Sequence, residues 1–225
     1  MKHVFILYLV TLFWAFPASA QKFYTMSGGE IIFSSSIVEQ NHSDVNSNLR
    51  FTLFFHVGEF FHLDLGNNVG FFSGIGLRNV GFITEEDDLK IKYRSYNLGV
   101  PFAFKAGSFR KNLYVFGGAE YEWMFHFKQK VFVNDEKSKY SSWFSNRTDD
   151  FIPSVFGGVQ FPKGFQVKFK YYLRDFLNHN YDGGGLYTNY TTFNKTQVWY
   201  ISLSYLIKNN RIKETRTKPD EMATL

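Results

Sequence analysis

The stretch Leu113–Lys128 alternates, one residue at a time, between two solvents. Its odd positions are Leu113, Val115, Gly117, Ala119, Tyr121, Trp123, Phe125 and Phe127, while its even positions include Glu120, Glu122, His126 and Lys128. Successive side chains on a strand point to opposite faces, so this is a strand with one oily side and one wet side. That alternation, over about ten residues, is the signature of a membrane-spanning strand. Phe165–Arg174 repeats it, with Phe165, Val167, Phe169, Tyr171 and Leu173 set against Gln166, Lys168, Lys170, Tyr172 and Arg174. Trp199–Ile207 does the same, and so do Tyr96, Leu98, Val100, Phe102 and Phe104. Pro101 and the glycines beside it are poor material for an ordinary central strand and suggest a bend or bulge.

Four further segments are less regular: Glu30–Val38, Leu49–Leu65, Val69–Phe82 and Phe151–Phe161. In the second of these Leu49, Phe51, Leu53, Phe55 and Val57 share a face with Phe61, Leu63 and Leu65. Glu59 falls on that same oily face, which predicts a bulge near Gly58 or an end to the lipid zone there. The total is eight strands, an even number as in bacterial outer-membrane barrels. The connections alternate in length. Residues 66–68, 107–112 and 162–164 are short, 84–89 is of modest length, and 39–48, 129–150 and 175–194 are longer. The expected fold is therefore all-β: an eight-stranded antiparallel transmembrane β-barrel with short periplasmic turns and longer outer loops. An unpaired amide in hydrocarbon costs several kcal/mol, so such a sheet has to close. Eight strands enclose a space that side chains fill, which predicts a plugged lumen.

The ends of the chain place this barrel. Met1–His3 is a basic start, Val4–Phe16 is apolar apart from Thr11, and Pro17-Ala18-Ser19-Ala20 is a small-residue cleavage pattern. Residues 1–20 are thus expected to be a signal peptide, 21–207 the barrel, and 208–225 a disordered periplasmic tail. The expected location is the outer membrane. The chain has no cysteine, which excludes disulfides and thiolate sites. Aromatic residues make up 20% of it, as a lipid-facing wall requires, while no apolar run approaches the length of a spanning helix. The net charge is +5, and the basic residues look scattered rather than striped, which argues against nucleic acid.

The runs Gly74-Ile75-Gly76-Leu77-Arg78-Asn79-Val80-Gly81-Phe82, Tyr96-Asn97-Leu98-Gly99-Val100-Pro101-Phe102 and Leu113-Tyr114-Val115-Phe116-Gly117-Gly118-Ala119-Glu120 resemble the PorT-like outer-membrane β-barrel family of Bacteroidetes. The resemblance covers most of the mature chain and implies a barrel of the outer membrane. One member of that family takes part in type IX secretion, but no residue here selects that role. Lys208–Leu225 departs from the usual barrel ending, in which the last strand finishes on a terminal aromatic.

Parity places Glu120, Glu122, His126, Lys168, Lys170 and Arg174 on the lumen face, joined by Arg78, Glu30 and Lys105. Opposite charges should pair across so narrow an interior, Glu120 or Glu122 with Lys168 or Lys170. A structural salt-bridge plug is the first reading, and a gated pore or polar ligand site the second. Catalysis is not expected. His126 has no serine next to it on its strand, and Ser138, Ser141, Ser142 and Ser145 fall in a connection. No cofactor or metal is implied. Glu85-Glu86-Asp87-Asp88 lacks the spacing of a calcium loop. His56 and His62 lie about 20 Å apart along a strand. Trp123, Phe125, Phe127, Trp199 and Tyr205 are expected on the lipid face or in interface girdles. Tyr140, Trp143, Phe144, Tyr181, Tyr187 and Tyr190 could form a sugar-binding surface. The expected function is a non-enzymatic outer-membrane barrel with a structural or interaction role in the cell envelope. The alternatives are a narrow pore or ligand-uptake barrel and, third, a lipid-modifying enzyme. Expected partners are outer-membrane lipid, lipopolysaccharide and an envelope protein. The oligomeric state is left open.

Overall fold

The computed structural model describes residues 22–86, 88–134, 136–183 and 189–209. The expected signal peptide lies outside the described residues, as does the expected tail beyond Asn209. The strands are β1 (Lys22–Gln40), β2 (Ser43–Val45), β3 (Ser47–Asn48), β4 (Arg50–Thr52), β5 (Val57–Asp64), β6 (Val69–Glu86), β7 (Leu89–Ser108), β8 (Leu113–Val133), β9 (Glu136–Trp143), β10 (Phe151–Gln160), β11 (Phe165–Tyr172) and β12 (Phe193–Asn209).

Eight of them close a ring. β1 pairs with β5, β5 with β6, β6 with β7, β7 with β8, β8 with β10, β10 with β11, β11 with β12, and β12 with β1, all antiparallel. The fold is an eight-stranded antiparallel β-barrel in which each of these eight strands is paired on both sides. Oily residues cover its outside on every wall strand, among them Phe61, Ile75, Phe102, Val115, Val155, Phe165, Leu203 and Phe23. The three short turns gather at the end that carries both termini of the barrel. Asn112 and Lys163 adopt positive φ in two of them. Gly164 has φ +94, and a Cβ there would run into the carbonyl of Leu206.

At the other end the strands outrun the expected loops. β6 and β7 continue to Glu86 and Leu89, so that connection is a tight hairpin. The connection expected at 129–150 is mostly strand, with β9 zipped onto β8 from Val133↔Glu136 to His126↔Trp143. β1 likewise runs to Gln40 and turns straight into β2. Alternation continues past the oily zone in these segments, but with Lys, Arg and Ser replacing the outward aromatics. The expected loop 175–194 contains no described strand until β12 begins at Phe193.

Three local features differ from the sequence reading. First, the predicted strand Leu49–Leu65 is broken at Leu53–His56, and no bulge occurs at Gly58, which pairs in register with Gly28 and Gly76. The break falls at Leu53-Phe54-Phe55. In a continuous strand Phe54 would point inward, whereas the break, with Phe55 at φ 67, leaves all three exposed. Above the break the Ser34 hydroxyl donates directly to the carbonyl of Gly81, 2.7 Å away. Second, β8 carries a bulge. Tyr96 pairs with His126 and Asn97 with Met124, so Phe125 is the extra residue. Beyond it the parity flips, and Phe127, Gln129 and Val131 are the buried, inward residues. Phe127 is therefore a core residue and not part of the lipid face. Third, Pro101 lies within β7 without a bulge. The register on either side is continuous, and its carbonyl accepts from the Ser73 hydroxyl at 2.7 Å.

The interior is layered. Near the outer mouth it is an apolar core of Ile32, Val80, Phe82, Tyr93, Met124, Ile152, Tyr172 and Val198, closed by Phe176 and Leu177 from the seventh connection. Nearer the turns it is aromatic, with Phe72, Tyr114, Phe116 and Phe156 beside Tyr24 and Met26. Glu30, Arg78, Glu120, Glu122, Lys168 and Lys170 lie between.

Candidate functional site

The middle layer is built from four strands that all aim inward. β1 supplies Glu30, β6 Arg78, β8 Glu120 and Glu122, and β11 Lys168 and Lys170. Arg78 Nε meets Glu30 at 2.6 Å, and its Nη1 contacts Glu120 and, at 3.5 Å, Glu122. Lys168 reaches Glu30 at 2.8 Å. Lys170 reaches Glu120 at 2.6 Å and also contacts Glu122. Tyr172 and Asn97 donate to the second oxygen of Glu122 at 2.8 and 2.7 Å. Three cations thus face three carboxylates, and each of the six side chains is at least nine-tenths buried. Two glycines make the space. A Cβ on Gly99 would overlap the Glu120 carboxylate, and one on Gly76 would press on the Arg78 guanidinium. Interior cavities of about 10 Å³ border this layer, room for roughly one water each.

The sequence-predicted residues separate into groups. The geometry brings Glu120, Glu122, Lys168 and Lys170 together with Arg78 and Glu30. Lys105 is inward but belongs to a lower site, where its Nζ lies 2.5 Å from Asp64, 2.9 Å from Tyr24 Oη and 3.0 Å from His62 Nδ1. His126 and Arg174 are corrections. The bulge at Phe125 turns His126 to the outer side, where its ring stacks between Trp143 and Tyr96, with centroids at 4.1 and 5.4 Å. Arg174 is exposed because β11 ends at Tyr172 and the chain dips inward at Phe176 instead.

β9 also changes the surroundings of His126. Ser141, expected in a loop, is on a strand and lies 2.9 Å from His126 Nε2. Among the described residues no carboxylate bonds that ring, so the pair lacks the group that orients a catalytic histidine. No described cluster of His, Asp or Glu has the grouping of a metal site. Glu85 of the acidic tip binds Lys90 at 2.7 Å, and Asp87 lies outside the described residues. The expected aromatic sugar surface is not assembled. Tyr140 and Tyr181 clamp the Arg147 guanidinium at 3.9 and 4.7 Å, and Tyr190 is fully buried. Trp143 and Phe144 instead join Trp123 in an exposed aromatic patch, and Tyr187 lies outside the described residues.

A second charged surface is not legible in the sequence. Past the bulge the outward residues of β8 are His126, Lys128, Lys130 and Phe132. Opposite them stand Tyr96, Arg94, Lys92 and Lys90 on β7, and Trp143, Ser141, Lys139 and Lys137 on β9. The basic residues that look scattered along the chain are thus gathered on one three-stranded face. Only the register shift at Phe125 aligns them, and nothing in the periodicity signals it.

No protein-family profile matches the chain, and no curated protein matches it by sequence. Among solved structures it is similar to Ail, the attachment invasion locus protein of Yersinia pestis, determined with the heparin analogue sucrose octasulfate. That likeness has 14% identity and a TM-score of 0.37, covering 81% of this chain and 99% of that one. It is also similar to Neisserial surface protein A (11% identity, 84% and 99% coverage, TM-score 0.43). A third similar structure is the outer membrane protein OprG from Pseudomonas aeruginosa (11%, 82% and 95%, TM-score 0.36). The strand pairing itself establishes the fold.

Proposed function

We propose that this chain is a non-enzymatic outer-membrane barrel with a filled lumen, serving a structural or interaction role in the cell envelope. One observation carries the reading: a closed ring whose outside is oily on every wall strand and whose inside holds a charge-balanced, nearly dry ion cluster. An exposed apolar surface of that extent suits lipid rather than water. Among the described residues the apolar layer, the six-charge layer and the aromatic layer fill the lumen, which favours a plug over a pore. Export through a signal peptide at 1–20 and assignment to the PorT-like barrels belong to the same proposal, as does an envelope partner.

The test is reconstitution of the full chain into lipid vesicles and planar bilayers. Folded protein should co-float with vesicles, shift in gel mobility between unboiled and boiled samples, and leave the bilayer electrically silent. Stepwise conductance would replace the plug with a pore. Failure to co-float would remove the membrane reading altogether. Lipid deacylation by the reconstituted protein, abolished by His126→Ala, would overturn the non-enzymatic part.

A further inference from the structure

We propose that the outer face of β7, β8 and β9, with the groove beside β4, binds the multiply phosphorylated headgroup of an anionic glycolipid in the surrounding outer leaflet. The inference rests on the membrane reading above and adds a ligand and a place.

The argument begins with charge. Lys92, Lys130 and Lys139 stand directly opposite one another on three neighbouring strands, and Arg94 stands opposite Lys128 in the next row. Like charges at directly opposed positions destabilise a sheet, and adjacent strands are only about 5 Å apart. Among the described residues of these rows the carboxylate present is Glu85, which Lys90 already holds at 2.7 Å. Aromatic rings brace the cations instead. Lys92 and Lys137 lie 5.2 and 5.8 Å from the Phe132 centroid, and Lys128 lies 5.1 Å from that of Tyr96. Burial, and then the neighbouring cations, hold the Lys92 and Lys130 ammonium groups below the usual lysine range, so an anion arriving there is favoured.

The groove supplies the second observation. It has a volume of about 700 Å³ and is lined by Arg50, Lys92, Arg94, Lys130 and Lys137, with no acidic residue. Arg50 is buried and bonds Asn79 through both Nη atoms, at 3.2 and 2.7 Å, and it has no ion-pair partner among the described residues. The buried Nε of Arg94 has no hydrogen-bond partner among the described residues. Two guanidinium groups in one acid-free groove leave unanswered charge that a phosphate geometry satisfies.

The position of the groove decides which anion. Its cationic floor lies directly above the row Tyr96–His126–Trp143, on the side of the barrel assigned to lipid. Its rim is Leu53, Phe54 and Phe55, all exposed, with Phe55 packed edge-on to Tyr96 at 5.6 Å. A soluble polyanion would leave these three side chains in water, and a zwitterionic phospholipid would leave the cations unneutralised. An amphiphile with several phosphates above and acyl chains below answers both.

The test uses the full chain refolded in detergent, with bound lipid counted by native mass spectrometry. The probes are diphosphorylated lipid A, its monophosphorylated form, phosphatidylcholine and a soluble sulfated oligosaccharide. Diphosphorylated lipid A should bind best. Lys92→Gln/Arg94→Gln/Lys130→Gln should weaken it by at least about tenfold, the equivalent of one lost charge-assisted contact. Arg110→Gln/Lys111→Gln/Lys163→Gln, at the turn end, should leave it unchanged. If the first triple variant does not fold, Lys137→Gln/Lys139→Gln on β9 tests the same face with a smaller expected loss. Equal binding by the two triple variants, or no preference for the second phosphate, overturns the proposal. So does tight binding of the sulfated oligosaccharide without lipid A, which would make this a site for a soluble polyanion. Vesicle co-flotation is scored in parallel. A protein that enters bilayers but does not select lipid A loses this inference alone, and one that enters no bilayer loses the membrane reading as well.

Discussion

Removing Arg78 should unbalance the interior more than any other single change to the ion cluster. Its guanidinium contacts all three carboxylates, Glu30, Glu120 and Glu122, and its side chain is only 3% exposed. Arg78→Met keeps most of the volume but leaves Lys168 and Lys170 facing three carboxylates, a net −1 in a nearly dry layer. Breaking one buried pair costs about 3–5 kcal/mol, so contact with three carboxylates puts the expected loss near the top of that range. The rescue is specific. Glu30→Gln added to Arg78→Met restores two cations against two carboxylates, and the double variant should return to within about 2 kcal/mol of the parent, because replacing a whole buried pair is far less costly than orphaning one member. Urea titration in detergent or vesicles, followed by tryptophan fluorescence, measures both. Trp123 and Trp199 sit in the wall and leave lipid for water on unfolding. A loss below about 1 kcal/mol for Arg78→Met, or a double variant no more stable than the single, would mean the cluster is hydrated and the dry-plug argument is wrong.

Other changes test separate parts of the barrel. Gly99→Ala puts a methyl where the Glu120 carboxylate lies and should cost about 1–3 kcal/mol by the same titration. Lys105→Met orphans Asp64 and should cost about 3 kcal/mol, most of it recovered by adding Asp64→Asn. Phe176→Ala empties a fully buried position against Phe82 at the mouth and should cost about 3–5 kcal/mol while raising hydrogen exchange in the outer ends of β6 and β7. A Phe176→Ala barrel with unchanged stability would show that the seventh connection does not close the mouth.

Much of the barrel is legible in the chain because period-two alternation needs no tertiary knowledge. A strand between lipid and a charged interior must read oily, polar, oily, and Leu113–Trp123, Phe165–Tyr172 and Trp199–Ile207 do. Parity alone therefore placed Glu120, Glu122, Lys168 and Lys170 on one face. Their mutual distances depend on how far each strand slides past its neighbours, which no single strand encodes. Glu30 and Arg78 were legible as inward residues, but not as the bridge between the other four.

Parity fails wherever one extra residue enters a strand. The bulge at Phe125 reversed the facing of His126 and Phe127, and the early end of β11 released Arg174 to solvent. Outside the oily zone the sequence marks loops and polar hairpins alike, because both are rich in Lys, Ser and Asn. The outer ends of β6 and β8, and the whole of β9, therefore look like loops in the sequence. By itself the sequence determined the strand count, the closed antiparallel sheet and the identity of the oily face, because each follows from local alternation and the cost of an unpaired edge. Only the tertiary structure decided which charges meet in the lumen and that the outer cations form one face, because both depend on register between strands distant in the chain.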